Sequence, residues 1–268
     1  PVDRETIRYG LGAVKGTGQQ AVECILAARE QDGPFKDLFD FCLRVDKRMV
    51  NRRTIEALIR AGAFDVLDPT PVPGAAANRH KLLATVGVAM EFAEQAERNA
   101  LQTSLFDTGL AAEEHAPQYV AVQPWDEKER LMQEKLALGF FFSGHPYNAC
   151  KAEMVRFVRR SLSQLEPAKE MTVIAGLVVG VRTQMTRRGK MLFVQLDDGT
   201  AMVEVSVFNE LFESERRKIV TDEVLVVEGK VSYDEFSGGN RVVADKLMTL
   251  GEARARFAKH LLLRMNGG

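Results

Sequence analysis

The chain has 268 residues, 46% hydrophobic and 27% charged, with a net charge of −1, an ordinary balance for a globular protein with room for two or three domains. No apolar run reaches membrane-span length and the opening Pro-Val-Asp-Arg-Glu carries no signal-peptide pattern, so a membrane partner is not expected and a cytoplasmic setting is. The three cysteines (Cys24, Cys42, Cys150) are spaced for neither a zinc site nor a disulfide framework, which suits a reducing compartment.

A start at proline and an end at Asn-Gly-Gly look like those of an excised piece. Charge is informative only locally. The stretch Arg44 to Arg53 holds five basic residues against Asp46, and Arg182 to Lys190 holds four with no acid.

Thr6 to Leu67 is expected to form four short helices. Val22, Ile25, Leu26 and Ala28 keep a helical period after the break Lys15-Gly16-Thr17-Gly18. Glycines at 16 and 18 permit positive φ and close approach of a ligand. The helix that follows presents unpaired amides and the positive end of its dipole, a setting for a phosphate oxygen, with Lys15 as counter-charge. A Gly-x-Gly turn of this kind also occurs in hairpins that bind nothing. After Gly33-Pro34, the residues Phe35, Leu38, Phe39 and Cys42 give an amphipathic helix. A basic turn, Asp46-Lys47-Arg48, then leads into a helix capped by Asn51 and carrying Arg52 and Arg53. Two helix–turn–helix units in tandem, each basic at its turn, resemble a double helix-hairpin-helix module, which holds duplex DNA by its backbone. The alternative for Arg52 and Arg53 is a solvated helix face.

Pro69 to Gly74 is expected to be a hinge, and Asn78 to open a helix running to about Ala100, with Leu82, Leu83, Val86, Met90 and Phe92 near one face. The string Gln102-Thr103-Ser104-Leu105-Phe106 then has the look of a docking peptide just past a helix end: two apolar anchors and one amide to set register. The alternative is a loop tucked onto its own domain. A second amphipathic helix, Trp125 to Leu138, places Leu131, Leu136 and Leu138 against many charges. His145-Pro146 has no acidic or thiol partner at ligand spacing, so His145 is expected to be a structural histidine.

From Met171 the period becomes strand-like. Strands are expected at Val173 to Val181, Met191 to Leu196, Ala201 to Phe208, Glu223 to Tyr233 and Arg241 to Met248, with a short helix Asn209 to Lys218 between the third and fourth. That layout is an OB-fold β-barrel, which takes single strands on its middle strands and on two loops. The expected single-strand residues are Arg182, Arg187, Arg188 and Lys190, then Phe193, Tyr233 and Phe236 with Arg241. Phe208 is a further possible stacking surface, and at least one of Phe193 and Phe208 is expected to fill the barrel. Asp234 and Glu235 oppose a strong grip, so binding should be weak and salt-sensitive.

The strings Ile7-Arg8-Tyr9-Gly10-Leu11-Gly12-Ala13-Val14-Lys15-Gly16 and Asn51-Arg52-Arg53-Thr54-Ile55-Glu56-Ala57-Leu58-Ile59-Arg60-Ala61-Gly62-Ala63-Phe64-Asp65 resemble the C-family of bacterial replicative DNA polymerases, the polymerase III alpha subunits, in the region downstream of their catalytic domains. The resemblance covers essentially the whole chain and includes Leu138-Gly139-Phe140 and Gly144-His145-Pro146. It implies that Gln102, Leu105 and Phe106 form the internal motif for the sliding clamp (beta subunit). It implies double-stranded and single-stranded DNA as the other partners. A further C-terminal domain contacting the clamp-loader tau subunit would follow in the family; the chain stops near its start, which puts tau contact in doubt.

The expected class is multidomain α+β: a tandem helix-hairpin-helix region (1–68), hinge and exposed helix (69–100), clamp peptide (101–107), connector (108–170), OB-fold (171–250) and the start of a helical segment (251–268). No catalytic residue is expected. Asp197 and Asp198 are adjacent, so on a strand they point to opposite faces, and Asp-Asp-Gly is more simply a turn. No cofactor or metal is expected in this chain, and Mg2+ would belong to the family's upstream catalytic domain. The expected function is a non-catalytic DNA- and clamp-binding region that makes a polymerase processive. The rivals are a DNA-junction or repair factor built from the same modules, the family's error-prone branch, and an RNA-binding barrel. An NAD-dependent ligase would need a four-cysteine zinc site that this chain lacks.

Overall fold

The computed structural model describes residues 9–68, 78–106, 117–186, 189–235 and 238–257, with side chains left out at 101–106, 186 and 234. The chain divides into two compact units, Pro1–Ser143 and Gly144–Gly268. The expected connector contributes to both, its helix Glu127–Leu138 to the first and its helix Asn148–Met154 to the second.

The first unit is helical. A 3-10 turn at Leu11–Ala13 leads through the Lys15–Gly18 turn into α1 (Gln19–Asp32), which stops at Gly33 (φ +79) and Pro34. Asp37 caps α2 (Leu38–Arg44) by accepting from Asp40 N at 2.8 Å. Arg44, at the end of α2, is not part of a basic surface. Its Nη2 donates to Ala28 O and Gly33 O, both at 2.7 Å, and its guanidinium lies over the Phe35 ring. It thereby closes the carbonyl end of α1. Asn51 caps α3 (Arg52–Arg60) as the sequence implies, accepting from Thr54 N at 3.1 Å.

Helix α4 (Arg79–Phe106) lays Leu82, Val86, Ala89 and Ala93, spaced by four, three and four, against α2 and α3. Full burial of side chains such as Leu38, Ile55, Leu58 and Leu82 stabilises the unit by about 1.5–3 kcal/mol each. Helix α5 (Glu127–Leu138), capped by Asp126, starts two residues later than expected and packs on α3. Leu136 is 62% exposed, and Glu134 and Ala137 take the buried positions instead.

Glu134 is fully buried within a polar network. Its Oε1 accepts from Arg79 Nη1 at 2.8 Å, and its Oε2 accepts from Ser143 N at 2.9 Å and Phe142 N at 3.2 Å. Arg79 also forks onto Asp65 at 2.7 and 2.6 Å.

The second unit is a closed barrel in the order β1-β2-β3-β5-β4. Strand β1 (Met171–Thr186) pairs with β4 (Val224–Asp234) through Leu177, then shifts register at Val178/Gly180 and pairs with β2 (Gly189–Asp197). The stretch Arg182 to Thr186 is therefore strand rather than turn; Arg187 and Arg188 lie outside the described residues. Strand β3 (Met202–Val207) pairs with β2 and, in parallel, with β5 (Gly239–Thr249). A short helix α7 (Asn209–Glu215) lies between β3 and β4.

Alternation puts Ile174, Leu192, Val194, Leu196, Val203, Val205, Val207, Leu225 and Val227 inside. Neither Phe193 nor Phe208 joins that core, contrary to expectation, because these aliphatic residues fill the inward positions. On the outer surface, α6 (Asn148–Met154) and α8 (Leu250–Phe257) cover Ala175, Val226 and Met248.

Asp197 and Asp198 serve the turn. Asp197 accepts from Gly199 N at 2.8 Å; buried Asp198 accepts from Thr200 N and Leu162 N, both at 2.8 Å, and from Ala201 N at 3.2 Å. Burial pushes the Asp198 carboxyl up, but the Thr200 hydroxyl and these amides outweigh it and hold it below the ordinary range. Asp198→Ala is expected to lower stability of the barrel by about 2–3 kcal/mol, since three backbone amides lose a charged acceptor. Hydrogen exchange at Leu162, Thr200 and Ala201 would check it; unchanged protection there would refute the assignment.

His145 is structural, with Nδ1 accepting from Tyr147 N at 3.3 Å and Nε2 at 3.6 Å from Asp197 Oδ2. The cysteines are free thiols; burial pushes Cys42 up to about 12 and raises Cys150.

Candidate nucleic-acid interface

In the helical unit the two expected hairpin turns meet. Thr54 Oγ1, in the first turn of α3, donates to Gly16 O at 3.4 Å, so the Lys15–Gly18 turn and the start of α3 share one surface. Lys15 N donates to Ala137 O at 2.8 Å, which anchors the turn on the end of α5. Gly16 has φ +83, which needs glycine; Gly18 has an ordinary φ of −76, and its value is bareness, since a Cβ at either position meets nothing within 4 Å. No side chain caps α1 at Gly18. The turn thus offers an uncapped helix start beside a bare backbone, the arrangement that accepts a phosphate oxygen. Thr17 does not face outward: it is 7% exposed and its hydroxyl is buried.

The basic residues split into two groups. Lys47 pairs with Glu97 at 3.2 Å, Arg52 with Glu56 at 2.8 Å, and Arg48 forks onto Asp46. The Arg48 hydrogen bond holds the Asp46 carboxyl below its usual value. Lys15 and Arg53 are exposed and make no ion pair among the described residues. They are the cations of this surface most available to an incoming anion.

The string Gln102 to Phe106 is not beyond a helix end. Helix α4 runs on to Phe106 through residues that are mostly good helix formers, with no proline to stop it. The side chains of Gln102, Leu105 and Phe106 lie outside the described residues.

On the barrel, β1, β2, β3 and β5 bring Arg182, Phe193 and Arg241 together. Phe193 points outward, because Leu192 and Val194 on either side of it fill the core, yet it is only 6% exposed. The Arg182 guanidinium lies over its ring at 3.9 Å from the centroid and that of Arg241 at 5.2 Å. Each arginine is held in turn. Arg182 Nη2 and Nε donate to Glu204 Oε2 at 2.7 and 3.2 Å, and Arg241 Nε donates to the buried Ser206 hydroxyl at 2.7 Å.

Sequence reasoning missed Glu204 and Ser206. The signal was their outward position on β3, next to a strand carrying the expected Phe193. Lys190 turns elsewhere, its Nζ 5.0 Å from the Phe212 ring centroid, and Tyr233 stands 57% exposed near the end of β4. Phe236, Arg187 and Arg188 lie outside the described residues. Among the described residues no three His, Cys, Asp or Glu side chains are grouped to hold a metal, and no helix is long and apolar enough to cross a membrane.

Each unit thus contains a nucleic-acid-binding module of a recognised kind. Residues 1–71 match the helix-hairpin-helix motif, and residues 172–250 match the OB-fold nucleic acid binding domain.

The chain as a whole is homologous to the C-terminal region of the DNA polymerase III alpha subunit. It is 43% identical to that subunit of Neisseria meningitidis serogroup A over 97% of this chain and 22% of the relative. It is 42% identical to that of Pseudomonas aeruginosa over 98% of this chain and 24% of the relative. Against Escherichia coli O6:H1 the figure is 36%, over 98% and 23%. The chain therefore spans less than a quarter of the length of these curated relatives.

Proposed function

We propose that this chain is the DNA- and clamp-binding region of a replicative DNA polymerase and carries no catalytic residue of its own. The joint surface of the Lys15–Gly18 turn and the start of α3 supports the reading, because it offers uncapped amides, bare backbone and two exposed cations that make no ion pair among the described residues. It holds product duplex by phosphate contacts that are blind to sequence. The barrel takes single-stranded template on the face around Arg182 and Arg241. Gln102, Leu105 and Phe106 dock on the sliding clamp. Three modest contacts joined in one chain raise residence on DNA far beyond any one of them. Mg2+ and nucleotidyl transfer belong to the part of the polymerase outside this chain, and the tau subunit is not among the partners proposed.

The test is binding of the 268-residue chain to its sliding clamp and to duplex DNA. Alanine at Gln102, Leu105 and Phe106 together is expected to weaken clamp binding by roughly 100-fold or more, as for buried anchor residues. Duplex binding should be unaffected. Lys15→Ala with Arg53→Ala is expected to do the reverse, flattening the log–log salt slope by about 0.9 per cation removed. Equal clamp binding by wild type and the triple variant, or none by either, removes the clamp from the proposal.

A further inference from the structure

The covered state of Phe193 leads to a specific inference about the barrel, one that rests on the single-strand reading above. We infer that Glu204 occupies the place of a backbone phosphate: it holds Arg182 on the Phe193 ring in the free protein, and a single strand binds by taking Arg182 from it.

The geometry behind this is local and complete. Arg182, Phe193 and Ser206 stand directly opposite one another across β1, β2 and β3, and Glu204 stands opposite Arg241 across β3 and β5. One carboxylate therefore sits between two guanidinium groups, so the patch keeps a net positive charge. Arg182 meets a single carboxylate oxygen with two N–H groups, the donor arrangement that an arginine also offers a phosphate oxygen.

The pair is accessible to exchange. The side chains of Arg182 and Glu204 are 59% and 38% exposed, so water and solute reach both. Phe193 supplies a fixed apolar floor that keeps the guanidinium flat and facing outward after the carboxylate lets go. The outer face of that guanidinium is a surface on which a base can stack. Arg241 is tied to a neutral hydroxyl that is itself buried, so it stays in place as the second cation while Arg182 changes partner. Glu204 thus sets the affinity of the face by opposing the ligand.

The experiment compares the full chain with Glu204→Gln, which keeps the size of the side chain and removes its charge. The probe is fluorescently labelled oligo-dT, and anisotropy is followed against salt. Glu204→Gln is expected to bind roughly two- to five-fold tighter at low salt, the scale of an exposed ion pair, with a salt slope steeper by about 0.7.

Two further variants separate this from net charge. Glu170→Gln removes an exposed acid just before β1 and is expected to leave the affinity unchanged. In an Arg182→Gln background, Glu204→Gln is expected to lose its effect. An affinity and slope equal to wild type, or a gain that Glu170→Gln reproduces or that survives Arg182→Gln, overturns the inference and leaves the single-strand reading standing. Absence of oligo-dT binding by wild type and Glu204→Gln alike defeats the single-strand reading itself, and this inference with it.

Discussion

Glu134→Ala is expected to destabilise the helical unit by about 3–5 kcal/mol, the scale for removing one partner of a buried ion pair. The carboxylate is shut from solvent, and several groups depend on it, among them the Arg79 guanidinium, itself buried and stretched between Glu134 and Asp65, and the amides of Phe142 and Ser143. Removing it leaves part of a guanidinium and two backbone donors without their acceptor. Gly62 tightens the site further, because a Cβ there would lie 2.4 Å from Arg79 Nη2, so the arginine has little room to find another partner on that side.

The chain has one tryptophan, Trp125, and it lies in this unit. Its fluorescence during urea unfolding reads the loss directly. An unfolding midpoint within error of wild type would show that the network is dispensable.

The acid response follows from the same site. Burial pushes the Glu134 carboxyl up, but the bonds from Ser143 and Arg79 outweigh it and leave it below the ordinary 4.5. A depressed folded value means that the stabilisation is present above the unfolded value and is lost as pH falls through the folded one. Wild type should therefore lose part of its stability below about pH 4.5, and Glu134→Ala should show a flatter dependence there.

Gly229→Ala is expected to cost the barrel about 3 kcal/mol, the upper end for overpacking. Its φ is not the reason. A Cβ at Gly229 would stand 2.4 Å from Val243 O and 3.0 Å from Val242 Cγ1. The carbonyl cannot retreat, because Gly229 sits in the ladder between Thr172 of β1 and Ala244 of β5, where the β4–β5 register shifts. Gly239→Ala is the matched control, since a Cβ there meets nothing within 4 Å. Urea unfolding followed by far-UV circular dichroism compares the two. Equal midpoints would mean that β5 approaches β4 less closely than described.

What was legible in the sequence was what neighbours in the chain decide. Asn51 caps the helix it precedes, and Val203, Val205 and Val207 declare a strand by alternation alone. Both depend on spacings of two to four residues. The Arg79–Glu134 pair was invisible for the opposite reason. Its partners lie 55 positions apart, and Glu134 looks like any other charge on a charged helix. Phe193 was half legible: alternation with Leu192 and Val194 could assign it to the outer face, but not reveal that arginines from β1 and β5 would cover it. At the hairpin turns the residues were legible and their roles were not. Lys47, Arg48 and Arg52 look like Lys15 and Arg53 in the sequence, and only folding shows which of them already have an acid.

The way the barrel closes sets an order on its birth. Strand β5 alone joins β3 to β4, through its parallel pairing with one and its antiparallel pairing with the other. Without the residues from Gly239 onward, β1 to β4 can pair only as an open sheet with two bare edges, β3 and β4. Such edges pair readily with strands of other chains. The barrel becomes self-contained only when its last strand is in place, so this unit is most open to such pairing while β5 is missing.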